Sequence, residues 1–212
     1  MLVSRRSLLT VVSAGTAAAA LARPGQAFAA TTPDAKTEAF RQAPRTFGDT
    51  SAKIMVEEYF SLTCTHCAAF ANDTMPEVTK KLVETGKLYF LYHDFPLDQV
   101  ALMAAMVARS LPAERYEPFT AALFASQDRW AFARGVNSTE EIWKIAALAG
   151  MDRPTFDSAI ADTTLKNWIL AGQDQAQKQL GVDSTPTFRV NATTQHAGEM
   201  DYPSFAKLVG LG

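Results

Sequence analysis

The chain has 212 residues, 48% of them hydrophobic, and a formal net charge of −2. This balance gives no support for binding to nucleic acids or anionic membranes, which attract basic surfaces. The length and the hydrophobic content suit one globular domain with an inserted subdomain. Two cysteines are too few for a disulfide framework, so their chemistry needs a separate explanation.

The amino-terminal segment, residues 1–29, has the composition of an export signal. Arg5 and Arg6 give it a basic start, an apolar stretch runs from Leu8 to Ala22, and Ala27-Phe28-Ala29 offers small residues for cleavage. About 15 apolar residues are fewer than the roughly 20 that a membrane span needs. The paired arginines resemble the twin-arginine export motif; an ordinary secretory signal and an uncleaved anchor are the alternatives. We therefore expect the protein outside the cytoplasm.

The next segment predicts a strand, a helix and a second strand. Residues 30–44 are polar and contain proline, which indicates a loose leader. An apolar run from Ile54 to Phe60 predicts a buried strand, and a helix is expected to start at Cys64 and to break or restart at Pro76. The run from Leu88 to His93 predicts a second strand. Strand, helix and strand form a βαβ unit with parallel strands.

The remaining chain divides into a helical block and a strand-rich end. Residues 98–181 carry apolar positions at helical spacing, and a capping box at Ser138-Thr139-Glu140-Glu141 predicts the start of one of the helices. In residues 182–212, two short strands flank a tight turn at Asn191-Ala192, and a helix over Tyr202–Leu211 closes the chain. The order βαβ, helical block, ββα predicts an α/β, thioredoxin-like fold: residues 30–97 and 182–212 form its halves, and residues 98–181 are an inserted α-helical domain.

The two cysteines stand three positions apart, in Cys64-Thr65-His66-Cys67, where the first strand gives way to a helix. A cysteine at a helix start meets unpaired backbone N–H groups and the positive end of the helix dipole, so its thiolate is stabilised. A protonated His66 adds a nearby positive charge. Cys67, one turn further in, is shielded. The pattern therefore predicts a redox dithiol in which Cys64 is the exposed, attacking sulfur and Cys67 the resolving one.

Other uses of a cysteine pair fit less well. A structural bridge over so short a loop stabilises a protein only modestly, by about 2 kcal/mol. Haem attachment needs histidine directly after the second cysteine, where Ala68 stands. A zinc site needs four ligands, so His93 and His196 would have to converge with the cysteines. Metal binding and an inert bridge stay open as minor alternatives.

Glu58 is the second candidate of interest. Alternation along the first strand puts Glu58 on the face of Val56 and Phe60, and Glu57 on the opposite face. A carboxyl buried beneath the cysteines has a raised pKa and can exchange protons with Cys67. In the alternative interpretation, Glu58 is an ordinary surface acid and Glu57 points inward.

Thr185-Pro186 lies between a loop and the strand that starts at Thr187. A cis peptide at Pro186 would leave the Thr185 backbone beside the cysteines, free to bind an extended substrate. Only a few per cent of X-Pro bonds are cis, so composition alone does not establish this isomer.

Taken together, these residues closely resemble the DsbA-like family of periplasmic thiol–disulfide oxidoreductases. The matching segments are Glu58 to Cys67, then His93-Asp94-Phe95-Pro96-Leu97-Asp98, then Gly181 to Phe188. The resemblance implies a nucleophile at Cys64, a resolving thiol at Cys67, a proton-transfer acid at Glu58 and a cis-proline at Pro186. It also implies no cofactor besides the dithiol.

The resemblance further implies partners and a location. Family members oxidise cysteine pairs in newly exported proteins in the periplasm, and a quinone-linked membrane protein often reoxidises them. Thr65 stands where many members have proline, which leaves the oxidising strength open. A reductase or isomerase, or a non-catalytic module that binds peptides or copper, is the alternative function.

Overall fold

The structure is a computed structural model that describes residues 35–212. The predicted export signal, residues 1–29, lies outside the described residues. Within residues 35–212 no helix combines the length and the apolar composition that crossing a membrane requires.

A mixed sheet forms the centre of the fold. Its strands are β1 (Arg45–Phe47), β2 (Ile54–Phe60), β3 (Leu88–Asp94), β4 (Thr187–Val190) and β5 (Thr194–Ala197). They lie in the order β1-β3-β2-β4-β5. β2 and β3 are parallel, as the predicted βαβ unit requires, and the other neighbours are antiparallel. The most central strand, β2, is also the strand that leads into the cysteines.

The helix after β2 is one helical run with changes of pitch. It begins with α2 (Thr65–Ala69), continues through a π-helical turn (Phe70–Thr74) into α3 (Met75–Val78), and ends in a second π-helical turn (Thr79–Val83). Pro76 lies in the first turn of α3, so the predicted restart is confirmed. Because proline has no N–H, the helix can continue past it only with altered hydrogen bonding, and the π-helical turn before α3 provides this.

The helical block predicted for residues 98–181 is present. It contains α4 (Gln99–Arg109), α5 (Ala113–Ala125), a π-helical turn (Asp128–Phe132), α6 (Ser138–Leu148), α7 (Arg153–Ala161) and α8 (Thr163–Leu180). The predicted capping box was wrong by one residue. Asn137 caps α6, because its side chain accepts hydrogen bonds from the backbone of Thr139 and Glu140.

The amino-terminal leader is more ordered than the sequence predicts. Helix α1 (Ala35–Gln42) lies within the segment expected to be loose, residues 30–44, and strand β1 follows directly after it. Buried arginines hold it: Arg41 pairs with Asp162 at 2.5 Å, and Arg45 donates to the carbonyl oxygen of Arg109 at 2.9 Å. Arg109 in turn donates to the carbonyl oxygen of Arg41 at 3.2 Å. Charged side chains in a polar segment gave no sequence signal for this packing.

The carboxyl-terminal end follows the prediction closely. Asn191 and Ala192 both have positive φ, 48° and 60°, as a two-residue hairpin turn requires. Helix α9 (Tyr202–Leu208) is shorter than predicted, because Gly210 adopts the left-handed conformation that ends helices. Phe205 of α9 packs against Phe70, Phe90 and Phe188, so aromatic packing joins the two halves of the sheet domain beneath the cysteines.

Candidate active site

Cys64 caps the amino terminus of α2. Its backbone is extended (φ −79°, ψ 120°), and its Sγ accepts a hydrogen bond from the Cys67 N–H at 3.3 Å. Sγ also lies 3.2 Å from the carbonyl oxygen of Thr185, to which the thiol donates. The residue is only 7% exposed, less than the sequence suggests, because the Thr185 loop covers it.

The pKa of Cys64 is lowered from 9.0 to about 5. The largest cause is a hydrogen bond from the Cys67 side chain. Desolvation acts in the opposite direction, and the Thr185 side chain and the backbone N–H groups of Cys67 and His66 lower the pKa further. The helix start therefore stabilises the thiolate as the sequence predicts, although the neighbouring thiol matters most.

Cys67 has the opposite character. It is completely buried, and its pKa is raised well above 9.0 by desolvation, by its hydrogen bond to Cys64 and by the charge of Cys64. Both cysteines are free thiols. The pair thus consists of one sulfur that ionises below neutral pH and one that stays protonated, which is the asymmetry that dithiol exchange uses.

Glu58 lies beneath the pair, on the predicted face of β2. It is 4% exposed, and no hydrogen bond or opposite charge is among the causes that set its pKa. Its pKa is raised from 4.5 to about 8, mainly by burial and to a smaller extent by the charge of Cys64. In turn, the charge of Glu58 contributes to the raised pKa of Cys67. Glu58 therefore holds a proton at neutral pH beside a thiol that must gain and lose one.

Glu57, the competing candidate for the inward acid, is also buried but is fully paired. Its carboxylate lies 3.0 Å from Arg189 and 3.3 Å from His93, and it accepts from the Tyr59 hydroxyl at 3.3 Å. Hydrogen bonding with His93 is the main cause of its lowered pKa. Both acids are therefore buried. Glu57 has an arginine as its counter-charge, whereas Glu58 lies on the side of the cysteines and has none within residues 35–212.

The Thr185–Pro186 peptide bond is cis, the isomer that the resemblance implied. The Thr185 carbonyl oxygen accepts the hydrogen bond of the Cys64 thiol, so the backbone before the cis-proline lies directly beside the sulfur. The structure therefore brings together Cys64, Cys67, Glu58 and Thr185-Pro186.

His66 is placed differently from the expectation. Its ring is 68% exposed, and Nδ1 lies 2.9 Å from Glu199 Oε2. It affects the pKa of Cys64 through its backbone N–H, and its ring is not among the interactions that lower that pKa. The ring therefore contacts Glu199, not the Cys64 thiolate that the sequence analysis assigned to it.

Gln127 is a residue that the sequence analysis missed. It is buried in the helical block, and its side-chain amide donates to the carbonyl oxygens of Leu62 (2.8 Å) and Cys64 (3.1 Å). The insertion therefore holds the loop that carries the cysteine. A lone glutamine after a helix carries no recognisable signal, because its role depends on a contact 63 residues away.

The histidines needed for a zinc site do not converge on the cysteines. His93 stacks on Tyr59, and His196 lies on the exposed strand β5. Among the residues that the structure describes, no group of three or more His, Cys, Asp or Glu side chains is placed to hold a metal ion.

Comparisons with known proteins agree with this geometry. The family model described as thioredoxin matches residues 41–209. A solved structure of alpha-DsbA1 from Wolbachia pipientis, a variant in which two cysteines are replaced by alanine, has 30% sequence identity to this chain and a TM-score of 0.73. The match covers 79% of this chain and 88% of that protein chain.

Two curated relatives agree with these matches. The thiol:disulfide interchange protein DsbA of Salmonella typhimurium is 29% identical over 144 residues, which are 66% of this chain and 67% of that protein. A protein of Rickettsia bellii named as a protein-disulfide oxidoreductase is 27% identical over 145 residues, 68% of this chain and 55% of that protein. The chain thus spans about half the length of the rickettsial relatives it matches. By its family match, its fold and its dithiol, the chain belongs to the thioredoxin family, in the DsbA-like group.

Proposed function

We propose that this chain is a thiol–disulfide oxidoreductase that introduces disulfides into exported proteins through Cys64 and Cys67. The observation that carries the proposal is the unequal ionisation of the two sulfurs: the pKa of Cys64 lies near 5 and that of Cys67 well above 9.0. The names of the DsbA relatives support the same class of reaction.

The reaction begins with the Cys64–Cys67 disulfide. A substrate thiolate attacks Cys64 Sγ, a substrate–Cys64 disulfide forms, and the sulfur of Cys67 leaves with the electron pair and takes a proton. A second substrate thiolate then attacks the substrate sulfur of the mixed disulfide, and Cys64 leaves as a thiolate. Two substrate thiols are oxidised to a disulfide, and the protein disulfide is reduced to the dithiol.

The direction follows from the stability of the leaving group. A thiolate held by the Cys67 thiol and by backbone N–H groups is a good leaving group, and its stabilisation favours the reduced protein. A protein whose reduced form is stabilised is an oxidant. We therefore propose net oxidation of substrates over reduction or isomerisation.

Proton supply is the proposed role of Glu58. When Cys67 leaves as a thiolate, it is completely buried and cannot be hydrated. A neutral Glu58 carboxyl can give it a proton, and the resulting carboxylate takes the proton back when Cys67 is reoxidised. The Thr185 backbone beside Cys64 is the proposed contact for an extended substrate chain.

The proposed location is the periplasm, reached through the signal predicted for residues 1–29. The proposed partners are exported proteins with free cysteines and a quinone-linked membrane protein that reoxidises the dithiol. The relationship to DsbA supports these assignments.

The equilibrium reduction potential of the purified protein against glutathione tests the proposal. We expect a value well above the roughly −270 mV of thioredoxin and towards the roughly −120 mV of strongly oxidising members. A value near that of thioredoxin would favour a reductase. Cys64→Ser should abolish the oxidation of a dithiol peptide and Cys67→Ser should trap Cys64-linked adducts, whereas full activity of Cys64→Ser would refute the scheme.

A further inference from the structure

Glu58 needs a source of protons if it is to work in successive turnovers. On one side it faces the cysteines, which are covered by the Thr185 loop and by Gln127. On the other side it faces a small cavity between the sheet and helix α5, lined by Glu58, Tyr92, Glu117, Thr120 and Phe124 among others.

The cavity is large enough for water. Its volume is about 30 Å³. One buried water molecule needs a cavity of roughly 10–15 Å³ and two or more polar partners. Glu58, Tyr92, Glu117 and Thr120 supply the polar groups on its walls.

An outer groove adjoins the cavity. The two share Ala71, Met75, Glu117 and Ala121 in their walls, and the groove, of about 360 Å³, also contacts Lys80 and Glu84. Glu117 is the acid that lines both spaces among the described residues. It therefore borders both the cavity that contains the buried Glu58 carboxyl and the open groove.

Glu58 and Glu117 both act electrostatically on the buried Tyr92. The pKa of the buried Tyr92 phenol is raised by desolvation first, and then by the charges of Glu58 and Glu117. Burial also raises the pKa of Glu117. The charged and titratable groups that face Glu117 are thus Glu58 and Tyr92 on the cavity side, and Lys80 and Glu84 on the groove side.

We propose that Glu117 relays protons between Glu58 and solvent through the cavity and the outer groove. After neutral Glu58 has protonated the Cys67 thiolate, the Glu58 carboxylate takes a proton from the Glu117 carboxyl through cavity water. The Glu117 carboxylate then takes one from solvent. Reoxidation of the dithiol runs the same steps in reverse, so no proton is left over. The inference rests on the proposed role of Glu58 and adds a residue of the insertion to it.

Infrared spectroscopy of the purified protein after a rapid pH jump tests the relay directly. The carboxylic acid C=O band of Glu58, assigned by its absence in Glu58→Gln, reports how fast this buried group gains or loses its proton. In Glu117→Gln we expect this exchange to be slower by about tenfold or more. A small weak acid, such as formic acid, should restore the rate by carrying protons into the groove. Glu114→Gln removes an exposed acid from the same helix and should leave the rate unchanged.

Turnover of a dithiol peptide supplies the second readout. Below the pKa of Glu58 the carboxyl is already protonated, so a single turnover of Glu117→Gln should match the wild type. Above that pKa, repeated turnover should be slower, again by about tenfold. The reduction potential should not change, because Glu117 does not contact either sulfur.

The outcomes separate the two proposals. An unchanged exchange rate in Glu117→Gln, or a slower rate that weak acid does not restore, would overturn the relay and leave the role of Glu58 intact. Absence of the Glu58 carboxylic acid C=O band from the wild-type spectrum at neutral pH, or normal turnover of Glu58→Gln, would instead overturn the proton-transfer role of Glu58 itself.

Discussion

Replacing the buried acid should make the reduced protein more stable, and increasingly so as the pH rises. The pKa of Glu58 is raised from 4.5 to about 8 by burial and by the charge of Cys64. The folded protein therefore holds this proton more tightly than the unfolded chain does, so its contribution to stability is complete below 4.5 and is lost as the pH rises towards about 8. In Glu58→Gln no such loss occurs.

The size of the effect follows from the two pKa values. Each pH unit between them costs about 1.4 kcal/mol, so the interval from 4.5 to about 8 amounts to about 5 kcal/mol. Wild-type stability alone would not reveal it. The pKa of Cys64 is lowered from 9.0 to about 5, so Cys64 adds stability as the pH rises from about 5 towards 9.0 and opposes Glu58 over nearly the same range.

The assay is urea unfolding of the reduced wild-type protein and of reduced Glu58→Gln at a series of pH values. The stability difference should grow by about 1.4 kcal/mol per pH unit and level off near the folded pKa, with the variant more stable. Glu57→Gln is the matched control on the same strand. It removes a carboxylate paired with Arg189, so it should destabilise the protein. A Glu58→Gln difference that does not change with pH would refute the reasoning.

Three further predictions concern the dithiol and the support of the sheet. Cys67→Ala should raise the pKa of Cys64 above about 5, because it removes the largest stabilising hydrogen bond; thiolate absorbance against pH measures this, and an unchanged midpoint would exclude that cause. His66→Ala should shift the pKa of Cys64 less than Cys67→Ala does, because the His66 ring is exposed and the variant keeps the backbone N–H of residue 66. A larger shift would show that the imidazole stabilises the thiolate, as the sequence predicted. Asp94→Asn should cost about 3–5 kcal/mol in urea unfolding, because the buried Arg109 loses its carboxylate; a loss below about 1 kcal/mol would count against this pair.

Local patterns predicted most of the architecture. The apolar run of β2, the cysteine that caps α2 and the Asn191-Ala192 turn are each encoded within a few neighbouring residues, and the structure places all three as expected. The α/β order and the helical block at residues 98–181 followed from the same kind of signal.

Features that depend on distant contacts were not predictable. Strand β1 has three residues, and its Arg45 donates to the carbonyl oxygen of Arg109, 64 residues away. His66 was expected to act on Cys64, but Glu199, 133 residues later, binds its ring. Gln127 likewise acquires its position only when the insertion packs against the loop of Cys64.

The arginine contacts of the amino-terminal segment have a consequence for how the molecule opens. Arg41 binds Asp162 in the helical block, while Arg45 and Arg109 link β1, α1 and α4 through backbone carbonyls. An inserted domain could in principle detach and melt by itself, as a separate cooperative unit. Here its detachment would leave buried guanidinium groups without their hydrogen-bond partners. Amide hydrogen exchange in α4 and in β3 should therefore report one shared opening event. The contacts that Gln127 and Thr185 make with Cys64 would then be kept or lost together.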